Sequence, residues 1–524
     1  MRIFLICFLL FFADACGAGV LYVPSADYPS IQEAISSSIN GDTIIVAPGR
    51  YFENINFLGR AITVRSTDPN NPGIVATTII DGNRPANINT ASAVTFKSGE
   101  TSASIIEGFT LTGGTGSWLQ VYWEFKGNLW NRCGGAVLCS NHSSPTIRKN
   151  IITKNFAGQG GGIYCYDHSN AIITDNTISD NNAIIDHGFA DPNPSDPNVY
   201  DHGDGGAIVG FQYCNPIITN NIIQYNHADS YGGGIHLRQW SNGTTENNRV
   251  YNNKSVLGAG IHITYTSSPQ IIRNTIQHNI CTGGGGGIYI YYYSAPLIEW
   301  NIITENEDWY AGGISLYWSS EPTIRNNIIC QNTGRGILCK GPANVLILNN
   351  TISDNLKKYY GGGIQCDATV TGLIANNIIT SNRGYGIYCY GSLVVIKFND
   401  VWNNESGSYG GQISDLTGIN GNISQNPLFA GIENYHIPPQ SPCVNAGDSN
   451  TASGEFDFDN EERTFNTRID IGADECVTNT SDFNNDGIVD FEDLFAFTEN
   501  WLNEADFADF AVFAENWLWT GRWR

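Results

Sequence analysis

Five side chains in the middle of the 524-residue chain have the types and spacing for acid–base chemistry. Asp201 and Asp204 stand three positions apart, and a hydrolase works with two carboxylates, one donating a proton and one accepting. His236 and Arg238 alternate along one short segment, and His262 recurs at the equivalent place in the next segment of the same kind. A base beside a cation suits elimination next to a carboxylate: the base takes the α-proton while the cation holds the acid group. Asp167, His168 and His202 add titratable groups nearby. A second constellation lies near the C-terminus. Asp482, Asn484, Asp486, Asp490 and Asp493 fit D-x-N-x-D-G-x-x-D-x-x-D, with the Ile488 carbonyl at the seventh place and Gly487 at the sharp turn. That spacing arrays oxygen ligands around one Ca2+.

The elements that must position these residues come from a repeat. Between Asn150 and Asn404 an Asn is followed five positions later by a second Asn, with mainly apolar residues between, ten times over. The first members are Asn150, Asn176, Asn221, Asn248, Asn274, Asn301, Asn327, Asn350, Asn377 and Asn399. Each pair leads through a short loop to a glycine step and an alternating strand, such as GGGIHLR at 232–238. A Ser/Pro turn and another short strand complete the unit, which cannot bury its own apolar face and must stack on its neighbours. Stacking in parallel at ~4.8 Å per coil brings the Asn side chains into ladders of amide hydrogen bonds. It also sets His236 and His262 on adjacent rungs.

The repeat, together with YPSIQEAISSSINGDTIIVAPGRY at 28–51, resembles the pectin lyase-like right-handed parallel β-helix family over residues 22–475. The implied fold is all-β. A short N-terminal helix, begun by the capping box of Ser30 and Glu33, would plug the open end of the stack. The segments at 426–448 and 468–475 resemble the family's terminating segment and are expected to form a top cap. The family's strand after the glycine step faces a groove. Alternation then turns Tyr164, Tyr166, His236, Arg238, His262, Tyr289, Tyr291 and Tyr317 outward, with Trp240 and Tyr293 extending the row. Such aromatic rows stack on sugar rings, so the resemblance implies a polysaccharide partner, bound or cleaved by a lyase or glycosidase. A glycan-binding or surface-structural β-helix without catalysis is the alternative, because no complete catalytic signature of pectate lyases, polygalacturonases or pectin methylesterases is present. Two long insertions, 114–132 and 183–204, would wall the groove.

The calcium motif, with Asp493 where an EF-hand carries Glu, resembles the dockerin type I loop, and residues 478–520 are read as that module. The helix after the loop is duplicated, 489–502 matching 505–518, but the second copy lacks half its loop, so one Ca2+ is expected. The resemblance implies a cohesin-like protein partner. The net charge of −24 argues against nucleic acid and means that an anionic sugar would need a local cation. Residues 1–15 read as a signal peptide, which places the protein outside the cytoplasm, and Cys16 leaves lipid anchoring open. No other segment is apolar enough to cross a membrane. Cys139, Cys165, Cys339, Cys366 and Cys389 fall at inward strand positions and read as stacked small hydrophobes, whereas Cys443 and Cys476 are the better disulfide pair.

Overall fold

The computed structural model describes residues 17–124, 126–185, 202–391, 393–431, 433–451, 454–463 and 468–476, together with 481, 489, 491–500 and 514. The expected signal peptide, Cys16, Asp201 and the calcium-loop residues Asp482, Asn484, Asp486, Ile488 and Asp490 lie outside the described residues. The helix Phe491–Asn500 is described, and Asp493 within it is buried. Among the described residues no helix is long and apolar enough to cross a membrane.

The chain winds into a parallel β-solenoid of about fourteen turns, with three faces formed by sheets of 14, 13 and 13 strands. The first sheet begins at Val20–Val23 and ends at Leu393–Lys397, the second runs from Gly49–Tyr51 to Asp400–Trp402, and the third from Ile55–Asn56 to Gly407–Gly411. The solenoid exceeds the ten Asn-marked coils because the first strands, such as Thr43–Val46 and Thr63–Ser66, pair in the same register without an Asn pair before them. The strands are short, and in most of them one or two apolar residues point inward, as Ile173, Ile178 and the pair Ile235 and Leu237 do. Their side chains stack coil on coil into a single core.

The Asn ladders do what the repeat predicts. Asn253 Oδ1 accepts from the backbone N–H and the side-chain amide of Asn226, at 3.0 Å each. Its own amide donates to the Ile223 carbonyl at 2.9 Å and to Asn279 Oδ1 at 3.0 Å. Asn422, outside the five-residue spacing, completes the first ladder by accepting from Asn399 at 3.1 Å. Each ladder therefore satisfies buried backbone donors where the chain turns a corner.

The helix Ile31–Ser37 is present with its capping box: Ser30 accepts from the Glu33 N–H and donates to the Glu33 carboxylate at 3.0 Å. Ile31, Ala34 and Ile35 are buried in the main core. The terminating segment differs from expectation. Rather than closing the top, the described residues between 433 and 476 run back along the outside of the second sheet. Tyr435 and Ala473 cover Ile328 and Cys330, and Ile437, Cys443 and Ile471 cover Ile378. Asn326, Asn349 and Asn376 donate to the Phe456, Asp470 and Asp448 carbonyls. The outward faces of Ile328, Cys330 and Ile378 are apolar, and burying them draws the strap onto the flank.

The cysteine expectations divide. Cys139 pairs in register with Cys165, and Cys339, Cys366 and Cys389 form successive rungs, all fully buried as free thiols. Cys443 and Cys476 are also free, which corrects the expected disulfide. Cys443 Sγ lies 3.4 Å from Asp400 Oδ2 instead.

Candidate functional site

The alternation along the third sheet is as expected: Ile163 and Cys165 face the core, and Tyr164 and Tyr166 face outward. Outward is not exposed, however. The first insertion is an antiparallel hairpin, Gly116–Trp123 with Gly127–Cys133, and it folds down over the row. Val121, Trp123 and Leu129 alternate along it and bury themselves against Leu138, Tyr164, Tyr166, Val209 and Phe211. Tyr164 has no exposed surface, and the Tyr166 hydroxyl accepts from the Tyr122 N–H at 2.8 Å. These two tyrosines are therefore the floor of a second apolar core, which corrects their expected place in an open groove.

Beyond the hairpin the row opens into a cavity of about 620 Å³, within the ~300–1,000 Å³ of small-ligand sites. Arg238, His262, Tyr289 and Tyr291 line it, joined by Trp123, His202, Tyr231, Gln239, Thr264 and Tyr265. Strand register places His236 against His262 on neighbouring rungs, with ring centroids 4.6 Å apart. His236 is buried beside the cavity rather than in its wall. Arg238 is clamped between aromatic faces: its Cζ lies 3.9 Å from the Trp123 centroid and 4.5 Å from that of Tyr265. Such contacts hold a guanidinium in a partly dry site without consuming its N–H groups. Asp204 Oδ2 lies 3.6 Å from Arg238 Nη1.

Burial governs the protonation of this cluster. It raises the Asp204 carboxyl to about 7, and the attraction of Arg238 only partly opposes it. It lowers His262 to about 3 and His202 to about 2, with Arg238 adding repulsion in each case. His236 is driven well below the ordinary histidine range by burial, then by His262 and Arg238. Arg238 thus stands among neutral imidazoles, with the Asp204 carboxyl beside it able to give or take a proton, and Lys126 and Glu124 bring further charge to the cavity wall.

Several buried polar atoms here have no hydrogen-bond partner among the described residues: Arg238 Nε, Asp204 Oδ1, Thr264 Oγ1, both ring nitrogens of His262 and both amide atoms of Gln239. Leaving each unpaired costs on the order of 1–3 kcal/mol, so the cavity wall is poised for a polar ligand. Gln239 is absent from the sequence-read set. It follows the strand in a turn of two consecutive left-handed residues, Gln239 at φ 53° and Trp240 at φ 59°, which sets Gln239 against the cavity and Trp240 outside it.

The remaining sequence-read residues are placed elsewhere. Trp240 stacks on Tyr213 at 5.0 Å with the rings 7° from parallel, continuing an outer ladder from His142 through His168. Tyr293 is exposed beyond that ladder. Tyr317 is half-buried against Tyr289 at 5.4 Å, and burial pushes its hydroxyl up to about 12. Tyr231, Tyr265 and Gln239 were missed because they lie just outside the four-residue strand, where alternation stops being a guide.

A family model described as right handed beta helix region matches residues 122–283, 195–307 and 259–426, more than half of the chain. No curated protein and no solved structure matches the chain.

Proposed function

The chain belongs to the right-handed β-helix family, and from that premise we propose that it is an exported carbohydrate-binding protein that takes a stretch of glycan into the cavity around Arg238. The observation that carries the reading is the combination found there: aromatic side chains beside buried polar atoms that have no partner among the described residues. Sugars present the complementary surface, apolar ring faces bordered by hydroxyls. Arg238 supplies the local cation that a uronate needs on a chain of net charge −24. The resemblance of the repeat to the pectin lyase-like family supports the same substrate class.

Cleavage is the second reading, favoured by Asp204, whose carboxyl at about 7 suits proton transfer. In the same proposal the helix Ile31–Ser37 closes the N-terminal end of the stack. Residues 478–520 act as a dockerin-like module that takes one Ca2+ through Asp482, Asn484, Asp486, Ile488, Asp490 and Asp493 and docks a cohesin-like partner. The test is a panel of neutral and uronate-containing polysaccharides, read by affinity electrophoresis, by reducing ends and by absorbance of unsaturated products. Retardation by at least one glycan, lost in Arg238→Met, supports binding, and product formation lost in Asp204→Asn adds cleavage. A folded protein that no glycan retards overturns the proposal.

A further inference from the structure

The strap along the second sheet concentrates acid groups where water is excluded. Asp457, Asp470, Asp474 and Glu475 are at most 3 % exposed, Asp459 is 9 % exposed, and Glu461 is half-buried beside them. The basic side chains among them are the buried Arg463, whose Nη1 lies 3.6 Å from Glu475, and His436, whose Nδ1 lies 2.9 Å from Asp474. Six carboxyl groups against one guanidinium and one imidazole leave an excess of buried negative charge, which a low-dielectric site does not tolerate unless a cation or protons offset it.

The hydrogen bonding shows where the excess is centred. Asp457 accepts from the backbone N–H groups of Asp459, Glu461 and Glu475, at 3.1, 2.7 and 2.8 Å. Asp470 accepts from Asn445 and Cys476, Asp474 from Ile437, and Glu475 from Asp470. Asp459 differs. Both of its carboxylate oxygens are buried and neither has a hydrogen-bond partner among the described residues, where the nearest basic atom is His436 Nε2 at 3.8 Å. Asp459 also belongs to two sets of converging ligand atoms, one with Asp457 and Glu461 and one with His436 and Asp474, each set lying within 4.8 Å of itself. The chain is shaped for this. Residues 455–463 form a tight antiparallel loop, bridged at Phe456 and Glu462, that turns Asp457, Asp459 and Glu461 inward and leaves Glu455 and Glu462 exposed.

We propose that Asp457, Asp459 and Glu461 bind a divalent cation, and that the ion fixes the loop at 455–463, whose Phe456 carbonyl and Arg463 guanidinium meet Asn326 on the flank of the β-helix. The all-oxygen set belongs to a hard cation of flexible geometry, which selects calcium over the transition metals. Asp459 is the central ligand, since it alone of the buried acids of the strap has no donor among the described residues. The site shares no residue with the C-terminal calcium motif or with the cavity around Arg238.

The test uses the full chain, freed of metal by chelation and titrated with CaCl2 in a calorimeter, alongside Asp459→Asn, Glu461→Gln and Asp486→Asn. Asp459→Asn is expected to bind one Ca2+ fewer than the parent chain, whatever the C-terminal loop binds. Calcium should raise the melting temperature of the parent chain and of Asp486→Asn, but not of Asp459→Asn. Should Asp459→Asn fail to fold, Glu461→Gln is expected to show the same site with at least tenfold weaker affinity. A parent chain and Asp459→Asn with equal calcium stoichiometry would overturn the proposal. So would an Asp459→Asn chain that melts higher than the parent while calcium leaves both unmoved, because shared protons would then be what offsets the charge.

Discussion

Replacing Asn253 by Ala removes four hydrogen bonds from the second amide ladder: two accepted from Asn226 and two donated, to Ile223 and Asn279. Their partners are not equally affected. Asn279 Oδ1 keeps the Asn253 backbone N–H at 3.1 Å, and the Asn226 amide keeps the carbonyls of Ile178 and Gln224. The backbone N–H of Asn226 is bonded to Asn253 Oδ1 and is left unpaired in a buried corner. At about 1 kcal/mol for each ordinary bond and about 2 kcal/mol for the orphaned donor, the loss is on the order of 3–5 kcal/mol. Asn242 makes the control. It sits in an exposed ladder, accepting from the Ser268 N–H at 2.6 Å, where water replaces the lost acceptor, and Asn242→Ala should cost less than about 1 kcal/mol. Urea unfolding of the parent and both variants, followed by tyrosine and tryptophan fluorescence, measures the difference. Equal midpoints for Asn253→Ala and Asn242→Ala would refute the view that the buried amides, rather than backbone pairing alone, hold the corners.

Two further outcomes follow from the cavity. Asp204, raised by burial from 3.8 to about 7, contributes stability that is complete below 3.8 and lost as pH rises to 7; His262, lowered by burial from 6.5 to about 3, contributes stability complete above 6.5 and lost as pH falls. Melting temperatures between about pH 4 and 8 should therefore show Asp204→Asn gaining on the parent as pH rises and His262→Gln gaining as it falls, and parallel curves would contradict the assignments. Trp123→Ala removes the ring that covers Arg238 at 3.9 Å and stacks on His202 at 4.0 Å. It should cost about 3–5 kcal/mol in thermal or urea unfolding, the range for a buried aromatic, and a change below about 1 kcal/mol would mean that the hairpin does not hold the cavity wall.

The solenoid was legible because its signals are local and periodic. The Asn spacing, the glycine step and the inward residues of each strand are fixed by the repeat itself. The same periodicity set His236 against His262 and faced Arg238 outward. What covers that face depends on contacts distant in sequence. The alternation of Leu119, Val121 and Trp123 marks a strand, yet nothing in it says that the hairpin folds onto Tyr164 and Tyr166. The strap was misplaced for a related reason: its apolar residues require a partner, and the flank around Ile328 and Ile378 competes with the end of the stack. Trp240 and Tyr293 read like the groove aromatics, but the left-handed pair after each strand turns them to an outer ladder.

The contrast between the cavity and that outer ladder gives the most direct test of the central claim, that ligand is held around Arg238. A glycan selected from the panel is titrated calorimetrically into the parent chain, Tyr291→Ala and Trp240→Ala. Tyr291 lines the cavity and is only half-buried, so its loss should leave the fold intact and weaken binding by roughly 0.5–1.5 kcal/mol, about two- to twelvefold. Trp240 stacks on Tyr213 outside the cavity, and its replacement should leave the affinity unchanged. Weakened binding in Trp240→Ala with none in Tyr291→Ala would place the ligand on the outer ladder and contradict the account.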